Sequence, residues 1–247
     1  MPAVTRAVAI LRLLSRSRTP LALKTIAQSL DLVPSTALHI LRALVAEQLL
    51  HFDPLSRQYR LGTGMLPLAR AVLDHDDFSS VVRPKLEELS RRHGLTVIGV
   101  EVPDLDHMVV VALARAQTPV RLHVDVGSRF PALISATGRC VAAFSSYPWD
   151  EIETRFRRLR WDNAPSYTTW RREVESVRRQ GFSIDRGNYI AGVTIVAVPV
   201  VNHRGTISHT IAAVGLGSQL KRARLLALAR DMRDAAREVA VQLLPPS

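Results

Sequence analysis

Between residues 32 and 44 the chain reads LVPSTALHILRAL, and four of its side chains could do chemistry: Ser35, Thr36, His39 and Arg42. Turning successive residues by about 100° from Ser35 places His39 near 40°, Thr36 near 100° and Arg42 near 340°. Ala37, Leu38, Ile40, Leu41, Leu44 and Val45 fill the remaining arc. The polar residues are therefore contiguous and crowd the N-terminal half. Pro34 suits a first helical turn, where its missing N–H costs nothing. Ser35 and Thr36 are short hydroxyls beside free backbone amides, which together suit a phosphate. His39 and Arg42 are long enough to reach base edges or phosphates. The pattern is that of a helix entering a DNA major groove N-terminus first. An ordinary amphipathic surface helix gives the same wheel, so the flanking elements decide.

Those elements form a recognisable series. Thr5 is a good N-cap and Val8, Leu11 and Leu14 follow at helical spacing, until RSRTP stops the helix. Leu23, Ile26, Ala27 and Leu30 make the apolar face of a second short helix, on which Lys24 and Gln28 are candidate phosphate contacts. DLVP turns the chain into the third helix. Two short strands, Leu50–Phe52 and Gln58–Leu61, then flank DPLSR, where Asp-Pro favours a turn. Helix, helix, turn, helix and hairpin describe a winged helix-turn-helix over residues 1–62. Arg57, at the hairpin turn, is the wing residue for a phosphate or the minor groove, or else a solvent-exposed turn arginine. Residues 63–78 read as a Gly-opened linker helix with an acidic end.

From residue 79 onward the pattern changes. A helix over Val81–His93 precedes strand-like runs LTVIGVEV, HMVVVALAR and VRLHVDV. SATGRCVAAFS reads as a helix opening at a small-residue loop, and helices follow near Trp149–Leu159 and Thr169–Gln180. GVTIVAVPVV and GTISHTIAAVGL meet at the hairpin turn NHRG, and an amphipathic helix, Leu220–Leu243, closes the series. Strands beside strands and helices in blocks make residues 79–247 an α+β domain with a mainly antiparallel sheet.

Composition narrows the function classes. The net charge is +11, pointing to polyanions, but 30 of the 33 basic residues are Arg, a lopsidedness that looks like codon bias. Its distribution says more: residues 1–62 hold eight basic residues against three acids. A second basic stretch, 155–179, has acids interleaved and reads as a solvated helical surface. No run of about 18 apolar residues marks a membrane span, and the N-terminus does not read as a signal peptide. The single cysteine, Cys140, excludes an internal disulfide framework and fits a reducing cytoplasm.

The whole chain resembles the isocitrate-lyase regulator (IclR) family of bacterial transcription factors. The resemblance runs through TRAVAILRLLS, LALKTIAQSLDLVPSTALHILRALVAEQLL and RQYRLGTGMLPLA. It continues through RPKLEELSRRHGLTVIGVEV, VGSRFPALISATGRCVAAF, VRRQGFSIDRGNYIAGVTIVAVPVVNHRGTISHTIAAVGL and the closing helix. It implies a winged-helix DNA-binding domain, a linker helix and a GAF-like effector-binding domain. It also implies a homodimer or dimer of dimers on double-stranded operator DNA, acting on a catabolic or metabolic operon as a repressor, with no cofactor. The implied effector is a small organic acid. Carried over residue by residue, its site is Ala136, Thr137, Gly138, Asp185, Ile195, Ala212 and Val214, with Gly138 bringing backbone amides near the ligand. Ile195, Ala212 and Val214 stand where small-oxoacid binders carry polar side chains, so the expected effector has an apolar or aromatic body and one carboxylate end. Plain core packing is the alternative for those three, and a turn cap for Asp185.

Three rival readings remain. Cys140 with His123 or His209 would make an enzyme, but its small apolar neighbours suggest a packed residue. DHDD at 74–77 and HVD at 123–125 offer metal ligands at no recognised spacing. Finally, the C-terminal domain could serve oligomerisation only, leaving a constitutive DNA-binding protein.

Overall fold

The computed structural model describes residues 3–74, 77–116, 124–202 and 204–243. The chain divides into two compact units, Met1–His75 and Asp76–Ser247.

In the first unit, α1 (Ala3–Arg16), α2 (Leu23–Ser29) and α3 (Pro34–Ala46) enclose one core with a three-stranded antiparallel sheet, β1 (Leu21–Ala22), β2 (Leu50–Asp53) and β3 (Gln58–Leu61). Helix α4 (Met65–Asp74) follows. The sequence predicts two of these strands. The third, β1, is too short to show periodicity and exists because Leu21 and Ala22 pair with Tyr59 and Gln58. Ile10, Leu14, Ile26, Leu41, Leu44, Leu50 and Tyr59 form the core, and each fully buried leucine contributes about 1.5–3 kcal/mol. Helices α2 and α3 meet at 114°, within the range of a helix-turn-helix. Their turn is closed by the Leu32 amide donating to the Ala27 carbonyl at 2.9 Å, with Asp31 left-handed at φ 51°. After β3 the chain passes over Gln48: a Cβ on Gly62 would fall on the Gln48 carbonyl oxygen, so only glycine fits.

The second unit opens with α5 (Asp77–His93), one turn earlier than the expected start at Val81. Its sheet contains β4 (Thr96–Glu101), β5 (Met108–Ala114), β6 (Arg129–Phe130), β7 (Ser183–Arg186), β8 (Val193–Val201) and β9 (Ile207–Leu216), in the order β6-β5-β4-β9-β8-β7. Every described pairing is antiparallel. Strands β6 and β7 went unpredicted, being two and four residues long. The predicted strand over 120–126 is not supported: Val124–Val126 are irregular, leading into a turn at Gly127, and 120–123 lie outside the described residues. His203 of the predicted NHRG turn also lies outside them. Asn202 organises the rest of that turn, its Oδ1 accepting from the Arg204 and Thr206 amides.

Side chains alternate across this sheet. Val196, Val198, Val200, Ile211 and Ala213 face α5 and α9 (Arg222–Gln242). Ile195, Ala197 and Ala212 face α6 (Ser135–Phe144), α7 (Trp149–Phe156) and α8 (Tyr167–Gln180). The sheet therefore separates two cores, as its period-2 pattern requires. Two contiguous buried faces explain why β8 reads as a nearly unbroken apolar run rather than an alternation.

Candidate DNA-binding face and effector site

Helix α3 is buried through Ala37, Leu41 and Leu44 and exposes Ser35, His39, Arg42 and Ala43, with Thr36 half-buried beside them. Leu38, expected in the anchoring face, is only half-buried and borders the polar arc. Val33 occupies the N-cap position, 65 % exposed, and supplies no side-chain cap. The first-turn amides of α3 consequently have no capping side chain and point outward. Among the described residues, the side chains of Ser35, Thr36, His39 and Arg42 have no hydrogen-bond or ion-pair partner. Lys24 and Gln28 are exposed on α2.

The β2–β3 turn is held by Asp53, which accepts from the Leu55 amide at 2.9 Å and the Ser56 hydroxyl at 2.6 Å. Those hydrogen bonds, the Ser56 one foremost, hold its carboxyl below the usual carboxylate value. Arg57 is exposed in this turn at φ 54°, a conformation that disfavours any side chain bearing a Cβ. Leu55 projects at the tip, 95 % exposed. Its exposure gave no sequence signal, because an isolated turn leucine has no periodicity.

In the second unit, Asp185, Ile195, Ala212 and Val214 share the sheet face covered by α6, which carries Ala136 and Thr137. Ile195 pairs in register with both Asp185 and Val214, and Ala212 pairs with Ala197. Ala136, Ile195 and Ala212 are buried in the α6-side core, where Val214 packs half-buried. Thr137 is buried as well.

Gly138 has a different reason for being glycine from the one expected. Its amide donates to the Ile134 carbonyl at 2.7 Å, so it is unavailable to a ligand. A Cβ there would fall on the Leu133 carbonyl carbon. Ser135, at the first position of α6, has φ 60°, strained for a residue with a side chain.

Asp185 caps a turn, its Oδ1 accepting from the Asn188 amide at 2.8 Å. Its Oδ2 is buried, lies 3.6 Å from Arg139 Nη1 and makes no hydrogen bond. Arg139, which sequence reasoning passed over, is the centre of this region. It is 1 % exposed, and its guanidinium donates to Glu173 at 2.6 Å, the Ser135 carbonyl at 2.9 Å and Asn188 Oδ1 at 2.9 Å. One arginine thus ties α6, α8 and the β7–β8 loop together. The only hint in the sequence was an arginine amid small residues in SATGRCVAA.

Cys140 lies on the same helix, fully buried, with Sγ directed at the Ala197 carbonyl 3.5 Å away. Burial raises its thiol pKa strongly, which keeps it from acting as a nucleophile. His209, the proposed partner, stacks on Phe78 across the sheet, with ring centroids 3.9 Å apart. His123 lies outside the described residues, as do two of the DHDD residues; among the described ones no three potential ligands gather around a metal position. No described helix is long and apolar enough to cross a membrane by itself.

The comparisons accord with this architecture. The model of the bacterial transcriptional regulator IclR C-terminal domain matches residues 70–241, and that of the IclR helix-turn-helix domain matches residues 3–54. The HTH-type transcriptional repressor AllR of Salmonella typhimurium is 26 % identical over 253 residues, covering 99 % of this chain and 91 % of the relative. The crystal structure of an IclR transcriptional regulator from Alicyclobacillus acidocaldarius superposes with a TM-score of 0.86 at 26 % identity, covering 98 % of each chain. An IclR homologue from Microbacterium hydrocarbonoxydans, complexed with 4-hydroxybenzoate, gives a TM-score of 0.81 at 20 % identity, covering 98 % of this chain and 99 % of that one. With a winged helix-turn-helix, an antiparallel effector-type domain and family models spanning both, this chain belongs to the IclR family of bacterial transcriptional regulators.

Proposed function

We propose that this regulator represses an operon by binding its operator through α3 and the β2–β3 wing, and that a small carboxylate bound in the C-terminal unit controls that binding. The observation that carries the DNA half is the arc of exposed Ser35, His39 and Arg42 with half-buried Thr36, unpartnered among the described residues, on the second helix of a helix-turn-helix. Ser35 and Thr36 contact phosphate beside the uncapped amides, while His39 and Arg42 reach base edges. Arg57, Lys24 and Gln28 add backbone contacts that set register rather than sequence. Repression is the reading favoured by the AllR relatives, which are named repressors.

The effector reading rests on Asp185, Ile195, Ala212 and Val214 sharing one sheet face beneath α6, on which Ala136 and Thr137 are buried. Thr137 offers the carboxylate its hydroxyl, and the aliphatic residues accept the apolar body. The Microbacterium homologue, complexed with an aromatic acid, supports that ligand class. A ligand there changes operator affinity only by favouring one arrangement of the DNA-binding units over another. Exposed Leu66 and Leu68 on α4, and Val4 and Val8 on α1, support pairing of two copies in the cytoplasm through these helices. A constitutive regulator is the second reading, favoured by the core packing of Ala136, Ile195 and Ala212.

The test is fluorescence anisotropy on a footprinted promoter duplex. Replacing Ser35 and Thr36 by Ala weakens operator binding about tenfold with an unchanged melting temperature; unchanged affinity removes both from the interface. Thermal-shift screening of organic acids separates the two effector readings. A constitutive protein is stabilised by none, and stabilisation by glyoxylate or pyruvate alone overturns the apolar-bodied effector.

A further inference from the structure

A cleft of about 420 Å³ opens on the α7 side of the C-terminal unit, and none of the residues assigned above to the effector line it. Its walls are apolar: Leu105 and Leu133 are buried, and Leu159 and the ring of Tyr189 are half-buried. Its rim carries Arg155, Arg158 and Arg160. Among the described residues lining it the one acid, Asp106, is taken by Arg155, whose Nε donates to it at 3.0 Å while Nη1 donates to Glu151 at 2.8 Å. Arg157, between them in sequence, pairs with Glu153. Arg158 and Arg160 have no hydrogen-bond or ion-pair partner among the described residues.

Two unpaired guanidiniums on open surface would be a solvated patch and nothing more. Here they line an apolar-walled cleft whose lining acid, Asp106, is already engaged by Arg155. The combination suits one chemistry: a negative end for the arginines and an apolar body for the walls. The volume is far larger than a two- or three-carbon acid needs, and Tyr189 offers a ring face. Burial, and to a lesser degree Asp162, raise the Tyr189 phenol above its ordinary pKa, so it remains an O–H donor that does not repel an anion.

We propose that this cleft is a second ligand site, separate from the α6–β8–β9 position, for a carboxylic acid with a ring-sized apolar body. Its placement gives the ligand a route to the domain's interior. Pro131 and Leu133 lead directly into strained Ser135 and α6, and Leu133 is the residue against which Gly138 packs. Tyr189 adjoins Asn188, whose Oδ1 accepts from Arg139. An occupant therefore bears on two of the segments that the Arg139 network joins.

Isothermal titration of the full-length protein with benzoate tests this, with inorganic phosphate and benzyl alcohol as controls for the charge and the ring alone. Both controls bind at least tenfold more weakly than benzoate. The titration is made in a T137V background, which removes the α6 hydroxyl from the measurement and leaves benzoate bound at the cleft. Adding R158Q/R160Q then weakens benzoate at least tenfold with an unchanged melting temperature, and R158K/R160K restores most of it. The proposal is overturned if benzoate does not bind, if the double glutamine variant binds it normally, or if phosphate binds equally well. Loss of benzoate in T137V alone also overturns it, while leaving the effector reading at α6 intact.

Discussion

Arg42 and Arg139 sit on amphipathic helices of similar length, and their surroundings are opposite. Arg42 is exposed on α3 with no hydrogen-bond or ion-pair partner among the described residues. Arg139 is 1 % exposed on α6 and its guanidinium is committed to Glu173, Ser135 and Asn188, with Asp185 beside it. The first arginine leaves its hydrogen-bonding capacity unused among the described residues; the second spends it on positioning three segments of one domain. Under the proposed function, the exposed charge of the N-terminal unit is the interaction surface. In the C-terminal unit the charge of Arg139 is scaffold, whereas Arg158 and Arg160, at the rim of a cleft, have no partner among the described residues.

The contrast predicts that substitutions at the two arginines separate cleanly. Arg139→Met strands a buried Asp185 carboxylate and destabilises the protein by about 3–5 kcal/mol. Adding Asp185→Asn recovers part of that loss, and a denaturant double-mutant cycle measures the coupling. Gly138→Ala forces a Cβ onto the Leu133 backbone and costs about 3 kcal/mol, read in the same unfolding experiment. An unchanged stability would mean that α6 is less tightly seated on its loop than its geometry requires.

Arg42→Ala inverts the pattern. Operator affinity falls by about 1–3 kcal/mol, while folding stability stays within about 0.5 kcal/mol. Anisotropy titration and thermal melting on one preparation check both halves. At the wing, Arg57→Gln lowers the slope of log affinity against log salt by about 0.9. Arg57→Gly loses the same contact yet gains a few tenths of a kcal/mol in stability, because glycine accepts the left-handed turn freely.

The smallest effect concerns pH. Asp53 has a folded pKa below its ordinary value, so its contribution is present above the ordinary carboxylate range and is lost as pH falls through the folded value. Amide shifts of Leu55 and Ser56, followed from about pH 5 to about pH 2, should titrate with Asp53. The α3 resonances should not move with them.

Legibility followed locality. The polar arc of α3 could be read because a helix fixes the angular position of every side chain from spacing alone. The wing turn could be read from Asp-Pro, but neither the left-handed Arg57 nor the projecting Leu55 could be, since both depend on how the turn closes. In the C-terminal unit, the long runs in β4, β5, β8 and β9 were visible as strands, whereas β6 and β7, like β1 in the N-terminal unit, were too short for any period. The effector-site residues came from family resemblance rather than from their own chemistry, and apolar residues such as Ile195 and Ala212 look like core whichever role they serve.

By itself, the sequence determined the helix-turn-helix, the α+β class and the polar arc of α3, because periodicity and capping act within a few residues of each position. Only the tertiary structure decided the fate of Arg139, whose partners Glu173 and Asn188 lie 34 and 49 residues away. It likewise decided that Gly138 serves close packing, and that Arg158 and Arg160 face a cleft while Arg155 and Arg157 pair with acids. A buried charge is defined by what the fold brings to it, and no local pattern carries that information.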